Sequence, residues 1–280
     1  MEIPAVLRLL MPLPAAGDNK YSRGTVGFVT GSNEYPGAAI LGISAAQQAG
    51  IGMIRFQGPA RVSDLVLVNH PEVIVTQEIS NTARAQAWVL GSGINPKDEA
   101  RANDLRAIFR EPLLAVVDAG ALSVLDFSRL QDSSLLLTPH HGEAMGLLNR
   151  YAGEVRWFPE RFDDPDYRKR AAVTLAELTG QTVLLKGSVT LVANSHGELL
   201  EVGPNSPLLA TAGTGDVLAG LLGAIAAQNS ELARGSWMDI AHLGIALHSR
   251  AAEIAAQTAT PTASLVASAL YQAINELLRS

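Results

Sequence analysis

The feature of this chain that most constrains its fold is a series of short apolar segments, each followed directly by glycine or polar residues. Such runs, bounded by turn-forming residues, are typical of buried strands. Helical patterns separate most of them, and this alternation predicts an α/β fold with a mainly parallel sheet and helices on both faces. Ligands bind at the carboxyl edge of such sheets, so we expect one shared cleft for a phosphorylated ligand. The glycine or polar edges are 31–37, 91–93, 118–120, 139–143 and 186–190, with a helix start at 213–216 as the sixth.

The order of the predicted elements indicates one continuous domain over residues 1–280, because no composition shift or long linker divides the chain. The strands are 24–30, 52–56, 72–76, 87–90, 113–117, 135–138, 182–186, 189–193 and 198–202. The helices are 38–49, 59–68, 97–109, 168–178, one from about 213 to 227, 237–257 and 262–278, with a loop over 157–167. No helix separates the last three strands, which predicts a late antiparallel extension of the sheet.

Composition excludes several classes of protein. A net charge of −6 argues against a nucleic-acid partner. The absence of cysteine excludes disulfides and thiolate sites and fits a reducing, cytoplasmic compartment. No apolar run approaches the roughly 18 residues of a membrane span. The apolar N-terminal segment contains Glu2 and has no basic region, so we expect a packed arm and not a signal peptide.

The segment 205–220, NSPLLATAGTGDVLAG, contains the most informative of the predicted turns. Gly213 to Asp216 should form a tight turn that opens a helix, where backbone N–H groups lack partners and the helix dipole favours an anion. Glycine lets phosphate oxygens approach the backbone closely. Asp216 is then either a helix cap or a base beside a bound phosphate, and an ordinary capped helix remains the alternative.

Other candidate residues lie at the same predicted edge. The glycine loop 31–37 has the layout of a phosphate site, but it matches neither the P-loop nor the dinucleotide fingerprint. Lys186 is either a surface lysine or an anion contact, and Asp118 is either a turn residue or part of the site. His140 and His141 are adjacent, so their side chains should not converge on one metal. The spacing of His242 and His248 puts them on different faces of a helix, so no residue is assigned as a metal ligand.

Taken in order, the motifs resemble those of a known family. They are GTVGFVTGSNEYPGAAILGISAAQQAG, LGSGI, VVDAGAL, LLTPHHGEAMGLL, TVLLKGSVTLVA and LLATAGTGDVLAGLL. This set, spread over about residues 24–257, is similar to the ADP- or ATP-dependent NAD(P)H-hydrate dehydratases. The resemblance implies a ribokinase-like three-layer αβα sandwich. It also implies a homotetramer, and a separate NAD(P)H-hydrate epimerase, because the epimerase domain that many relatives carry is not expected here.

The resemblance also assigns roles to individual residues. Asp216 would be the catalytic base and would contact the hydroxyl of the hydrated dinucleotide. Mg²⁺ would accompany the ADP or ATP co-substrate. The remaining substrate-binding residues would be Ala39, Gly93 and His140. The nucleotide-binding residues would be Lys186, Gly187, Ser188, Val189, Thr190, Thr214 and Gly215.

The implied reaction repairs NADHX or NADPHX, the hydrated forms of NADH and NADPH, and takes the S epimer. The nucleotide would phosphorylate the hydrate hydroxyl, and loss of phosphate would restore the ring double bond. Three positions depart from the family pattern: Ser92 and His141 stand where proline is usual, and the segment NSPLL lacks a common glycine. A small-molecule kinase of the same superfamily, which would stop at the phosphorylated thiazole or pyrimidine alcohol, and a non-catalytic nucleotide sensor are the alternatives.

Overall fold

The computed structural model describes residues 3–76, 84–130, 132–153, 155–257 and 260–279. Within them the strands form one nine-stranded sheet in the order β3-β2-β1-β4-β5-β6-β7-β8-β9. The strands are β1 (Thr25–Val29), β2 (Met53–Gln57), β3 (Ile74–Thr76), β4 (Ala87–Leu90), β5 (Leu114–Val117), β6 (Ser134–Leu137), β7 (Thr182–Leu185), β8 (Thr190–Ala193) and β9 (Leu199–Val202). Pairing is parallel from β3 to β7 and antiparallel from β7 to β9, which confirms the predicted late extension.

Helices cover both faces of this sheet. They are α1 (Gly37–Gln48), α2 (Ala60–Asn69), α3 (Glu99–Ile108), α4 (Gly120–Val124), α5 (His141–Tyr151), α6 (Pro165–Thr179), α7 (Thr214–Gln228), α8 (Ser230–Gly235), α9 (Met238–Ala255) and α10 (Ala263–Arg279). One core cluster joins α1, α2, α7, α9 and α10 to one face, and a second joins α3 to α6 to the other. The three-layer sandwich is therefore confirmed.

Side-chain alternation along the central strands produces these two cores. In β5, Leu114 and Val116 belong to the first cluster, whereas Ala115 and Val117 belong to the second. Successive residues of a strand point to opposite faces, so a strand that is covered on both sides must be apolar throughout. This explains why the apolar runs of the sequence are continuous.

One departure from the predicted elements concerns the start of α6. We predicted a loop over 157–167 and a helix from Arg168, but the helix begins at Pro165 and a short 3₁₀ turn spans Pro159–Arg161. Asp164 caps α6 by accepting hydrogen bonds from the N–H groups of Asp166 and Tyr167. Proline is well suited to the first helical position because it needs no hydrogen-bond acceptor there. The acidic, proline-containing stretch is thus a helix start and not only a loop.

The N-terminal segment packs against the domain, as expected. Its 3₁₀ helix, Ala5–Leu10, buries Leu7 and Leu10, and Met11 is also buried. Among the described residues no helix is both long enough and apolar enough to cross a membrane.

Close contact between α1 and α7 depends on two glycines. A Cβ atom on Gly220 of α7 would overlap the backbone carbonyl of Gly42 in α1. A Cβ on Gly42 would lie 3.4 Å from the backbone oxygen of Asp216. The first turn of α7 is therefore positioned by helix–helix contact at backbone distance.

We expect Gly220→Ala to lower the free energy of unfolding by about 1–3 kcal/mol or more, because the overlap is with backbone atoms that cannot rotate away. Urea unfolding measures this change. Gly146→Ala is the matched control, since a Cβ there meets nothing within 4 Å inside α5. It should raise stability slightly through helix propensity. Equal effects of the two substitutions would contradict the proposed packing constraint.

Candidate active site

Four strands deliver polar side chains to one point at the carboxyl edge of the sheet. The Asp118 carboxylate accepts hydrogen bonds from Ser92 Oγ at 3.0 Å, Thr138 Oγ1 at 2.8 Å and Lys186 Nζ at 2.7 Å. These residues follow the ends of β4, β5, β6 and β7. The expectation that the polar edges meet is confirmed for these four strands.

The Asp118 carboxylate is a buried charge with a full set of partners. Asp118 is 3% exposed, and a quarter of the Lys186 side chain remains accessible. A buried ion pair is tolerated when its remaining lone pairs are also hydrogen-bonded, and the two hydroxyl groups meet that need. Ser92, one of the departures from the family pattern, thus has a structural partner. Lys186 is neither a free surface lysine nor solely an anion contact, because it is bound to Asp118.

The N-terminus of α7, predicted from the sequence as an anion site, lies beside the hydrogen-bond network of Asp118. The residue before α7, Gly213, has φ 93°, a left-handed conformation that favours glycine. Asp216 is the third residue of the helix, and no side-chain hydrogen bond to it is found among the described residues, so the interpretation of Asp216 as a helix cap is wrong. A Cβ on Gly215 would lie 3.8 Å from Lys186 Nζ. The ammonium group therefore lies over the first turn of α7.

The charges of the site act strongly on Asp216. Burial and, after it, the negative charge of Asp118 raise the pKa of its carboxyl group, Lys186 opposes both, and the resulting pKa is about 7. Burial alone would lower the pKa of Lys186, but the attraction of Asp118, Glu143 and Asp216 outweighs it, and the pKa is raised. Lys186 thus stays protonated, while Asp216 exchanges a proton near neutral pH.

Thr214 uses its side chain to close the loop before α7. Its hydroxyl donates to the carbonyl oxygens of Leu209 and Thr211 at 2.8 and 2.9 Å. His248 of α9 is buried, and burial lowers its pKa to about 4, against the opposing effect of a hydrogen bond with the Thr214 backbone. A neutral histidine therefore supports the loop before α7.

The segment 186–190 forms a tight turn between β7 and β8, held from both sides. Asn205 Nδ2 donates to the carbonyl of Gly187 and to Thr190 Oγ1, both at 2.8 Å, and its backbone N–H donates to Ser188 O at 2.7 Å. On the other side, Arg168 donates to the carbonyl oxygens of Lys186 and Val189. Sequence reasoning did not single out Arg168 or Asn205.

A cavity of about 400 Å³ opens beside this turn. Its lining residues are His141, Pro159, Phe162, Asp163, Pro165, Arg168, Lys169, Lys186, Gly187, Ser188, Val189, Leu191 and Glu201. The predicted nucleotide segment therefore borders an open space of ligand size. The signal that would have indicated it is the start of α6, whose Asp-Pro cap lies in the stretch that we predicted as a loop.

The residues expected to line the hydrate pocket lie at the same edge but differ in accessibility. Gly93 has φ 67°, and its Cβ would lie 2.9 Å from the carbonyl oxygen of Tyr35, just before α1. Ala39, in the first turn of α1, is fully buried in the first core cluster. His140 caps α5: its Nδ1 accepts from the N–H groups of Gly142 and Glu143. The His140 side chain is 56% exposed, and its Nε2 lies 3.6 Å from Glu143 Oε1.

Metal ligands are scarce at this edge. Within the described ranges no group of three or more histidine, aspartate or glutamate side chains is placed to hold a metal ion. Asp118 is already committed to three donors.

The raised pKa of Asp216 makes its ionisation costly for folding. Between pH 3.8 and about 7 the folded form retains a proton that the unfolded chain releases, so this residue lowers stability as the pH rises through that window. We expect Asp216→Asn to melt at a higher temperature than the wild type at pH 8, with a gain that vanishes below about pH 4. Thermal melts at several pH values test this. Asp64→Asn, at an exposed position on α2, should show no such trend, and a pH-independent gain would contradict the cause.

Comparison with known proteins places the chain in a family. A family model described as NAD(P)H-hydrate dehydratase matches residues 26–275. The bifunctional NAD(P)H-hydrate repair enzyme Nnr of Mycobacterium tuberculosis is 38% identical over 220 residues, which are 77% of this chain and 43% of that enzyme. The ADP-dependent (S)-NAD(P)H-hydrate dehydratase of Xanthomonas campestris is 33% identical over 235 residues, 79% of this chain and 78% of that protein. The chain thus spans less than half the length of the bifunctional relative.

Solved structures agree at the level of the fold. The ADP/ATP-dependent NAD(P)H-hydrate dehydratase of Bacillus subtilis, co-crystallised with ATP and Mg²⁺, superposes with a TM-score of 0.80 at 22% identity, covering 99% of both chains. A ribokinase-like superfamily protein from Enterococcus faecalis gives 0.76 at 20% identity, covering 99% of this chain and 96% of its own. The fold is ribokinase-like, and the chain belongs to the NAD(P)H-hydrate dehydratase family.

Proposed function

We propose that this protein dehydrates the S epimer of NADHX and NADPHX at the expense of ADP or ATP. The observation that carries this proposal is Asp216, a carboxyl group with a pKa of about 7 at the first turn of α7. Lys186 lies over the same turn. A base that is half-ionised near neutral pH, next to a helix N-terminus and a cation, suits phosphoryl transfer to an alcohol.

The first step makes the hydrate hydroxyl into a good leaving group. Asp216 takes the hydroxyl proton while the oxygen attacks the terminal phosphorus of the nucleotide, and the bond from that phosphorus to the bridging oxygen breaks. In the second step the carbon–oxygen bond breaks, phosphate leaves, and a proton is lost from the neighbouring ring carbon. The ring double bond of the nicotinamide is thereby restored.

The chain stabilises the transferring phosphoryl group with fixed charges. The N–H groups of Thr214 and Gly215, at the start of α7, have no intrahelical acceptor and carry the positive end of the helix dipole. Lys186 adds a full positive charge that Asp118 holds in place. Mg²⁺ needs few protein ligands when phosphates and waters complete its shell. This fits a site in which no three carboxylate or histidine side chains of the described residues are grouped. When bound, the ion would neutralise phosphate charge.

Binding roles follow the same geometry. We infer that Lys186, Gly187, Ser188, Val189 and Thr190 hold the AMP part of the nucleotide, because their turn borders the 400 Å³ cavity. The hydrate would lie between the turn at Gly93, the first turn of α1 at Ala39, and His140. Since Ala39 is fully buried, its contribution would come through the backbone of that turn after a small opening.

The assembly in which the protein works is also a proposal. We infer one domain over residues 1–280, a homotetramer, and a cytoplasmic enzyme that works together with an epimerase activity that converts the R epimer. The continuous sheet from β3 to β9 supports the single domain. The name of the bifunctional relatives supports the link to a second repair activity.

The decisive experiment follows the fate of the phosphoryl group. Enzymatically hydrated NADH is incubated with the purified chain and with ADP or ATP, each offered separately. Recovery of nicotinamide absorbance with release of one phosphate per hydrate is expected. Accumulation of a stable phosphate ester would indicate a small-molecule kinase instead, and nucleotide binding without either product would indicate a sensor.

Asp216→Asn should bind nucleotide normally and lose turnover in that assay, since the amide cannot accept the hydroxyl proton. Calorimetric titration with the nucleotide and the absorbance assay measure the two properties separately. Turnover at the wild-type rate in the variant would remove Asp216 from the mechanism.

Asp118→Asn should move the acidic limb of the pH profile of kcat/KM to lower pH. Loss of the Asp118 charge removes a repulsion that raises the pKa of Asp216, and it frees Lys186 to attract Asp216 more strongly. Ser92→Ala, which keeps the Asp118 charge and removes one hydrogen bond, should move the limb less. An unshifted limb in Asp118→Asn would show that the network is only structural.

A further inference from the structure

Arg168 of α6 lies directly against the turn that borders the cavity. Its Nη2 donates to Val189 O at 2.9 Å and to Lys186 O at 3.4 Å. A Cβ on Gly187 would collide with the same guanidinium group. The arginine is therefore packed on the backbone of the turn, at the wall of the 400 Å³ cavity.

The charge of Arg168 has no counterion in the part of the chain that the structure describes. Its recorded acceptors are two backbone carbonyl groups, and both receive Nη2. Burial lowers its pKa, and no carboxylate offsets that effect. Nε and Nη1 have no acceptor among the described residues. The neighbouring Lys169 differs, because it is paired with Glu201 at 2.7 Å.

A half-buried guanidinium without a carboxylate is unusual, because buried charges are normally paired. Arginine presents a planar fork of N–H groups that matches the oxygens of a phosphate, often in a bidentate manner. Three cations line the cavity beside it, Arg168, Lys169 and Lys186, and of these Lys186 is paired with Asp118. Asp163 and Glu201 also line the cavity, and Glu201 is neutralised by Lys169.

We propose that Arg168 forms an anion subsite that binds a phosphate group of the nucleotide through its free N–H groups. This inference rests on the proposed function in one respect, namely that the ligand of the cavity is an adenine nucleotide. Arg168 thus has two roles: Nη2 stabilises the turn 186–190 through two carbonyl oxygens, and the other N–H groups would bind the phosphate.

The competing explanation is that Arg168 only stabilises the turn. A turn-stabilising residue would affect the binding of every ligand of the turn, whereas a phosphate contact affects only ligands that carry phosphate. Calorimetric titration of the full chain with ADP and with adenosine separates the two roles, and it needs no turnover.

Arg168→Gln should weaken ADP binding by about 10-fold or more, as expected for a lost charged hydrogen bond, and should weaken adenosine binding clearly less, because both ligands share the disturbed turn but only ADP carries phosphate. Arg168→Lys should recover part of the ADP affinity, since it keeps the charge but not the fork. Arg170→Gln is the matched control: Arg170 is on the same helix, stacks on Tyr167 and does not line the cavity. It should bind both ligands as the wild type does.

Equal losses of ADP and adenosine affinity in a folded Arg168→Gln would overturn the phosphate contact, as would unchanged ADP affinity. If Arg168→Gln does not fold, Arg168→Lys decides, because a selective loss for ADP supports the contact and a uniform loss contradicts it. Failure of the wild type to bind either ligand would contradict both the subsite and the nucleotide dependence of the proposed function. A selective ADP effect in a protein without dehydratase turnover would contradict only the proposed reaction.

Discussion

The site depends on the buried carboxylate of Asp118. It joins the ends of four strands by accepting from Ser92, Thr138 and Lys186, and it is far enough inside the protein that its charge is poorly screened. Removing any donor would leave a buried charge less compensated, so the four strand ends are energetically coupled. The same charge acts outward on Asp216, where it favours the protonated form. One interaction thus holds the sheet edge together and, after burial, contributes to the raised pKa of the proposed base.

The second constraint is the distance between α1 and α7. Helices with ordinary side chains at their contact keep axes 8–10 Å apart, but Gly42 and Gly220 let these two backbones touch. As a result, the N-terminus of α7, with Gly213 and Asp216, lies close to the strand ends. Glycine at these two positions is therefore required by the position of the site.

The sequence sufficed for the sheet, its extension and the positions of the polar edges, because strands buried on both faces are continuously apolar and end at turn residues. It could not supply the pairing of Asp118 with Lys186. These residues are 68 positions apart, and they follow β5 and β7, which are not neighbours in the sheet. It also could not supply the pKa of Asp216, which results from burial and from two distant charges. The role of Arg168 was not predicted, because the polar, proline-containing stretch before it was interpreted as a loop and not as the first turn of α6. The exact start of a helix is difficult to assign when its capping residues are also typical of loops.

The partition of charges explains why Asp216, and not Asp118, is suited to be the base. Both carboxylates are close enough to Lys186 to feel its charge, yet the ammonium binds Asp118 at 2.7 Å and only opposes the rise in the pKa of Asp216. Asp118 already accepts hydrogen bonds from three donors, whereas the Asp216 carboxylate has no side-chain hydrogen bond among the described residues and is open to accept a hydroxyl proton. Ser92 strengthens this division by giving Asp118 a hydroxyl donor. Ser92 therefore helps to hold in place the carboxylate that binds Lys186.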